Sequence, residues 1–190
     1  MGPVQPWAAG GAVTTPPAAR PRSGPVVIGY DGSPAAERAL AQAAVLLAPR
    51  PALVVVVWEA GRAFEAAEWS ALTLDTPVPT VDLRTAFELD QAAYAGAERT
   101  AHRGAARARS MGLPAESLVV ADDVSVADTL VRVAREHDAP GVVIGAHRHG
   151  ALSEVLLGNT SRDVVRQAPC PVVVVREDAD SHRRRTGSRS

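Results

Sequence analysis

The apolar positions of this chain follow two rhythms. Short runs rich in valine and isoleucine, bounded by proline, glycine or charge, occur at residues 25–30, 52–57, 116–121, 142–144 and 172–175. They are near-continuous rather than alternating, as strands buried on both faces require. Between them the spacing becomes helical. Leu40, Ala43 and Leu47 share one face of a helix predicted to end near Ala48, and Val126, Leu130 and Val133 share one face of another ending near His137. A long alanine-rich helix is expected from about Leu83 to Met111, and a short one after Gly158.

Two helix starts are legible in the residue types. In Asp31-Gly32-Ser33-Pro34, Ser33 is the expected N-cap and Pro34 the first helical residue, where its missing N–H costs nothing. Ser125-Val126-Ala127-Asp128 has the form of a capping box with Ser125 as N-cap. Strand and helix in alternation, joined by right-handed crossovers, predict an α/β fold: a doubly wound five-stranded parallel sheet with helices on both faces. No internal repeat is evident.

A chain of 190 residues that is 46% hydrophobic suits one domain with a real core. Residues 1–24, rich in Pro, Ala, Gly and Thr, read as a disordered tail in which Trp7 is a stray aromatic; residues 25–176 form the domain. Residues 177–190, with Arg183-Arg184-Arg185, read as a flexible basic tail. From Trp58 to about Asp82 the chain is irregular, and Trp58, Phe64 and Trp69 are expected to pack that connection onto the domain or to cover a ligand.

Charge narrows the function. The formal net charge is −1 and all 20 basic residues are arginine. A lysine-dependent phosphate loop, a Schiff base and a lysine-activated nucleophile are therefore excluded. Between the two tails fourteen arginines face eighteen acids, so nothing draws the domain to nucleic acid or an anionic membrane. Arg99, Arg103 and Arg107 share a helix face that is best read as solvated. Cys170, the single cysteine, precludes an intrachain disulfide and reads as a structural thiol. No apolar run approaches membrane-spanning length and no signal peptide is apparent, so a cytoplasmic location is expected.

Candidate chemistry collects between Gly141 and Arg176. A strand, a glycine-punctuated loop opening at Gly145 and closing at Gly158, and a helix start could bring backbone N–H groups and a positive dipole end to a phosphate at Gly158, Asn159 and Thr160. Asp31 sits where a parallel strand ends, the place such sheets put ligands; it is equally readable as a turn-forming carboxylate. Adjacent Asp122 and Asp123 are better read as charges near a helix start than as a metal pair, because neighbouring strand residues point apart. His147 and His149 lack a fixed carboxylate or cysteine partner, so no metal site is assigned. Glu154 is read as a surface residue, and no nucleophile elbow is present.

The run from Gly145 through Gly158, a small polar residue, a helix, Ala168-Pro169-Cys170-Pro171 and four valines resembles the C-terminal signature of the universal stress protein family. Residues 26–33 resemble that family's opening strand and acidic turn. The resemblance implies an adenine nucleotide alpha hydrolase-like fold. It also implies a stress-response protein that binds ATP as a regulatory ligand, with hydrolysis slow or absent and any Mg²⁺ carried by the phosphates. Carried over position by position, Asp31 lies by the ribose or metal and the Val57 backbone meets adenine. Gly145, Arg148, Gly158, Asn159 and Thr160 then fall around ribose and phosphates, and residues 172–175 form the edge of a homodimer.

Two positions depart from the family's pattern of glycine, two residues, glycine, nine residues, glycine and a hydroxyl residue. Arg148 replaces the middle glycine and Asn159 the hydroxyl. The Arg148 Cβ either closes the pocket, leaving a dimeric interaction module without nucleotide, or its guanidinium pairs with a phosphate while Gly150 supplies the loop's flexibility. Asn159 is the milder change, since its amide still donates. A slow ATP hydrolase is the more remote alternative.

Overall fold

The computed structural model describes residues 21–59, 83–122, 124–146 and 158–176. Trp7, Phe64, Trp69, Asp123, the stretch carrying His147, Arg148, His149, Gly150 and Glu154, and the basic C-terminal run lie outside the described residues.

In chain order the elements are β1 (Val26–Gly29), α1 (Pro34–Leu47), β2 (Ala52–Trp58), α2 (Leu83–Ser110), β3 (Ala115–Ala121), α3 (Val126–Glu136), β4 (Val142–Gly145), α4 (Asn159–Gln167) and β5 (Val172–Val175). The sheet order is β3-β2-β1-β4-β5 and every neighbouring pair is parallel, which is the expected doubly wound α/β sheet. The chain winds outward from β1 to β3, then returns to the other side of β1 to lay down β4 and β5. The winding therefore reverses between β1 and β4, and sheets of this kind leave a crevice there at the strands' C-terminal ends.

Alternate strand residues feed two cores. Val26, Ile28, Val54, Val56 and Val143 pack under α1 and α2, while Val27, Leu53, Val55, Val142 and Ile144 pack under α3 and α4. Long α2 lies close to the sheet because its inner face is small: Ala97, Ala101, Gly104, Ala105 and Ala108. Its Arg99, Arg103 and Arg107 are exposed, as a solvated face requires.

Element ends follow local chemistry. α1 stops at Leu47, one residue before the expected end, because Ala48 precedes Pro49 and takes an extended conformation. α2 closes in a Schellman motif: Gly112 at φ +83° donates to Arg109 O and Leu113 donates to Ala108 O, while the Leu113 side chain is wholly buried. α3 closes the same way through Asp138, at φ 47°, and Ala139. Strand β3 begins at Ala115, one residue earlier than expected. Trp58, assigned by its sequence to the irregular connection, is the last residue of β2; it pairs with Ala121 and meets the Tyr94 ring edge-on at 5.4 Å.

A proline stands immediately before β1, β2, β3 and β5, and two residues before β4. The carbonyls of Pro51, Pro114 and Pro171 accept the first N–H of the neighbouring strands, from Val26, Ala52 and Val142, at 2.8 to 2.9 Å. Proline can accept in a ladder but cannot donate, so it is tolerated at a strand's first position. Among the described residues no helix is long and apolar enough to cross a membrane.

Candidate functional site

The crevice at the β1/β4 reversal is a cavity of about 410 Å³. Four short segments build it, and each owes its shape to a few residues.

The first is the β1–α1 turn. Tyr30 N–H donates to Val55 O at 2.9 Å, continuing the ladder past the end of β1. Asp31 Oδ1 accepts from Ser33 N–H at 2.9 Å, Gly32 adopts φ +77°, and Ser33 Oγ caps α1 by accepting from Ala36 N–H at 3.1 Å. Asp31 is thus both the turn-forming carboxylate and a residue of the cavity wall, so its two readings from sequence are compatible. Tyr30 anchors the turn from behind. It is 3% exposed and its hydroxyl donates to Glu37 Oε1, while Arg107 approaches the other carboxylate oxygen at 3.9 Å. Burial, and then the Glu37 carboxylate, push the Tyr30 hydroxyl up to about 12.

The second and third segments are the ends of β2 and β4. Val55 and Val57 line the cavity from β2, and Ile144 and Gly145 from β4. Gly145 is required by packing: a Cβ there would fall 2.4 Å from Ala35 O in the first turn of α1. At Gly29 a Cβ would stand 3.1 Å from both Ile144 Cγ2 and Leu130 Cδ1. β1 and β4 are the same tetrapeptide, Val-Val-Ile-Gly, lying side by side with both terminal glycines on the cavity wall. That duplication in the sequence marks the two strands flanking the crevice.

The fourth segment is the start of α4. Gly158 occupies the N-cap and has no side chain to accept from the first turn. The first helical amide satisfied within the helix is that of Arg162, which donates to Gly158 O at 3.0 Å. The amides of Asn159, Thr160 and Ser161 precede it, and no acidic residue stands in the first turn. Such a terminus attracts negative charge. A Cβ added at Gly158 would meet nothing within 4 Å, so among the described residues nothing demands glycine there.

Of the residues singled out from sequence, Asp31, Val57, Gly145, Gly158, Asn159 and Thr160 line this one cavity. Arg148 lies outside the described residues. Sequence reasoning missed the apolar wall: Val126 and Leu130 come from α3, and their helical spacing marked them as core, not as cavity lining. It also missed Tyr30 as a member of the site. Among the described residues no group of three His, Cys, Asp or Glu is placed to hold a metal ion. Cys170 is half-buried, and burial raises its thiol pKa against the opposing pull of Arg22, as for an unreactive thiol.

The model of the universal stress protein family matches residues 23–176. This chain belongs to the universal stress protein family. A universal stress protein of Thermus aquaticus is 31% identical over 160 residues, covering 80% of this chain and 97% of its own. One from Mycobacterium tuberculosis is 32% identical over 157 residues, and there the chain spans about half the relative's length, 48%. Among solved structures, a universal stress protein of Archaeoglobus fulgidus in complex with dAMP is 25% identical with TM-score 0.53, covering 80% of this chain and 98% of that one. In this universal stress protein the sheet, the reversal point and the cavity are all formed within the matched residues.

Proposed function

We propose that this universal stress protein binds an adenine nucleotide, ATP foremost, in the β1/β4 crevice as a regulatory ligand that is not turned over. The observation that carries the reading is the uncapped start of α4 at a cavity of about 410 Å³ that is also lined by Val55, Val57, Val126, Leu130 and Ile144. Phosphates suit the first, a nucleobase the second. The dAMP complex of the Archaeoglobus fulgidus protein supports it.

In this reading the base lies between Val57, whose main chain it meets, and Val126 and Leu130 of α3. Asp31 takes the ribose side, and Asn159 and Thr160 donate to phosphates. Gly145 contributes by letting α1 approach. Any Mg²⁺ is carried by the phosphates. The protein acts in the cytoplasm as a homodimer formed through the outer edge of β5, which has β4 as its neighbour in the sheet order.

Calorimetric titration with ATP tests the reading, with Gly158→Asp and Arg148→Gly alongside. Binding by the native chain, abolished by a carboxylate at residue 158, is the expected result. No heat in the native chain but binding after Arg148→Gly favours the second reading, an interaction module whose site Arg148 has closed; the departure of that residue from the family pattern is what favours it. Phosphate release above a blank overturns the regulatory assignment.

A further inference from the structure

A second cavity, of about 560 Å³, opens at the base of the sheet, where the strands begin, at the far end from the crevice. Three of the prolines that lead strands, Pro25, Pro51 and Pro114, form its wall together with Leu53. Arg109, from the last turn of α2, lies on the same wall, and its guanidinium is held by donating through Nη1 to Ala115 O at 2.6 Å. Glu116 adds an exposed carboxylate. Pyrrolidine rings and a fixed guanidinium plane suit the flat face of an aromatic ring, and a carboxylate suits an indole N–H. Tryptophan is the side chain that matches all three.

The chain itself enters at this rim. Arg22 approaches Asp138 Oδ1 at 3.7 Å, Ser23 N–H donates to Asp138 Oδ2 at 3.2 Å and Gly24 N–H to Asp138 O at 3.2 Å. Gly24 passes so near the end of α3 that a Cβ on it would fall 1.7 Å from the carbonyl oxygen of His137, another residue of the cavity wall. The path of residues 22–24 is thus fixed beside the cavity, and Pro21 lies within about 14 Å of Pro25, the longest span four residues allow. Upstream, residues 1–20 hold a single aromatic residue, Trp7, and a single charged side chain, Arg20. The chain from Trp7 to Pro21, rich in alanine and glycine, has a root-mean-square reach of about 20 Å. Reach and span are comparable, the condition under which a tethered group meets its site at the highest effective concentration.

We propose that Trp7 seats in this cavity of its own chain, with the indole against Pro51, Pro114 and the Arg109 guanidinium, so that the N-terminal segment covers the base of the sheet. The seat lies at the opposite end of the strands from the crevice and is independent of the nucleotide reading. The family match begins at residue 23, so the occupant comes from outside the residues the family shares.

The test uses the full chain with Trp58→Phe and Trp69→Phe, which leaves Trp7 as the one indole. Its emission should be blue-shifted from that of free N-acetyltryptophanamide and several-fold less quenched by acrylamide, at every protein concentration. Arg109→Ala and Glu116→Ala should each raise the quenching toward the free value. As a measurement that needs no change to the cavity, a photoreactive p-benzoylphenylalanine in place of Trp7 should cross-link within the same chain to residues 51–53 or 109–116. Quenching equal to that of the free compound overturns the proposal. So does shielding that neither folded variant relaxes, and so does shielding that grows with protein concentration, which assigns Trp7 to a second copy. Should the variants fail to fold, the cross-link decides alone: adducts in those two stretches support the seat, and adducts elsewhere or between copies overturn it.

Discussion

Gly145 and Ala35, 110 positions apart in sequence, meet so closely that a methyl group on the glycine would sit 2.4 Å from the alanine's carbonyl oxygen. The obstacle is helix backbone, which has no rotamer to give. Gly145→Ala should therefore destabilise the fold by about 2 kcal/mol or more, the cost of overpacking a rigid contact. Gly158→Ala, where a Cβ meets nothing within 4 Å, should cost under about 1 kcal/mol, the ordinary difference between these residues at an N-cap. Urea unfolding of the two variants checks the contrast; equal losses refute the packing role of Gly145.

Gly104 tests a competition of two effects. Alanine is preferred over glycine in a helix interior by about 1 kcal/mol. A Cβ at Gly104, however, would stand 2.8 Å from the Tyr30 ring and 3.0 Å from Val54 Cγ1, both buried. Overpacking at about 1–3 kcal/mol outweighs the propensity gain, so Gly104→Ala should lower stability, whereas Gly96→Ala, with only the Arg99 guanidinium within 4 Å, should not. Denaturant midpoints of the pair decide it.

Tyr30 gives the protein an alkaline limit. Its folded pKa of about 12 exceeds the ordinary value of 10.0, so the folded state holds the proton more tightly than the unfolded chain. That stabilisation is complete below pH 10 and is lost as the pH rises toward 12. A shift of this size corresponds to about 2.7 kcal/mol at most, less what solvent screening removes. Tyr30→Phe should start less stable, having lost the Glu37 bond, and decline less steeply over the same interval. Parallel slopes for parent and variant would assign the alkaline loss elsewhere.

Asp138 ends α3 in the left-handed region and receives the incoming chain: its Oδ2 accepts from Ser23 N–H at 3.2 Å and its backbone carbonyl from Gly24 N–H at 3.2 Å. Asp138→Ala removes the first of these and places a Cβ residue with no compensating side-chain bond at φ 47°. A loss of about 1–2 kcal/mol is expected, with Asp138→Asn close to the parent because asparagine tolerates the same conformation. Thermal melts of the two variants provide the measurement.

Much of this architecture was legible in the residue types. Ser33 with Pro34, and Ser125 with Asp128, act within a few residues, and the structure shows both serines capping the helices they precede. The valine runs identified themselves as strands, but only β1, β2 and β4 are buried on both sides; β3 and β5, at the edges of the sheet, are mostly half-buried. What sequence alone missed depends on contacts between distant segments. Gly145 reads as a phosphate-loop glycine from spacing, yet the contact that demands glycine lies in α1. Leu130 reads as core from its helical period, and only the return of β4 beside β1 turns it into a cavity wall. Trp58 looked like loop because an irregular stretch follows it, while its pairing with Ala121 depends on a strand 57 residues away at the nearest.

The prolines that open the strands fix where the sheet may change length. A strand led by a residue without an amide hydrogen gains no donor by being extended backwards, so the lower margins of β1, β2, β3 and β5 are each held by the proline that stands before them. Any insertion or deletion the domain tolerates is then displaced to the opposite margin, above β2 and β4. Variation between copies of this fold is thereby steered to the rim that surrounds the crevice, leaving the base of the sheet unchanged.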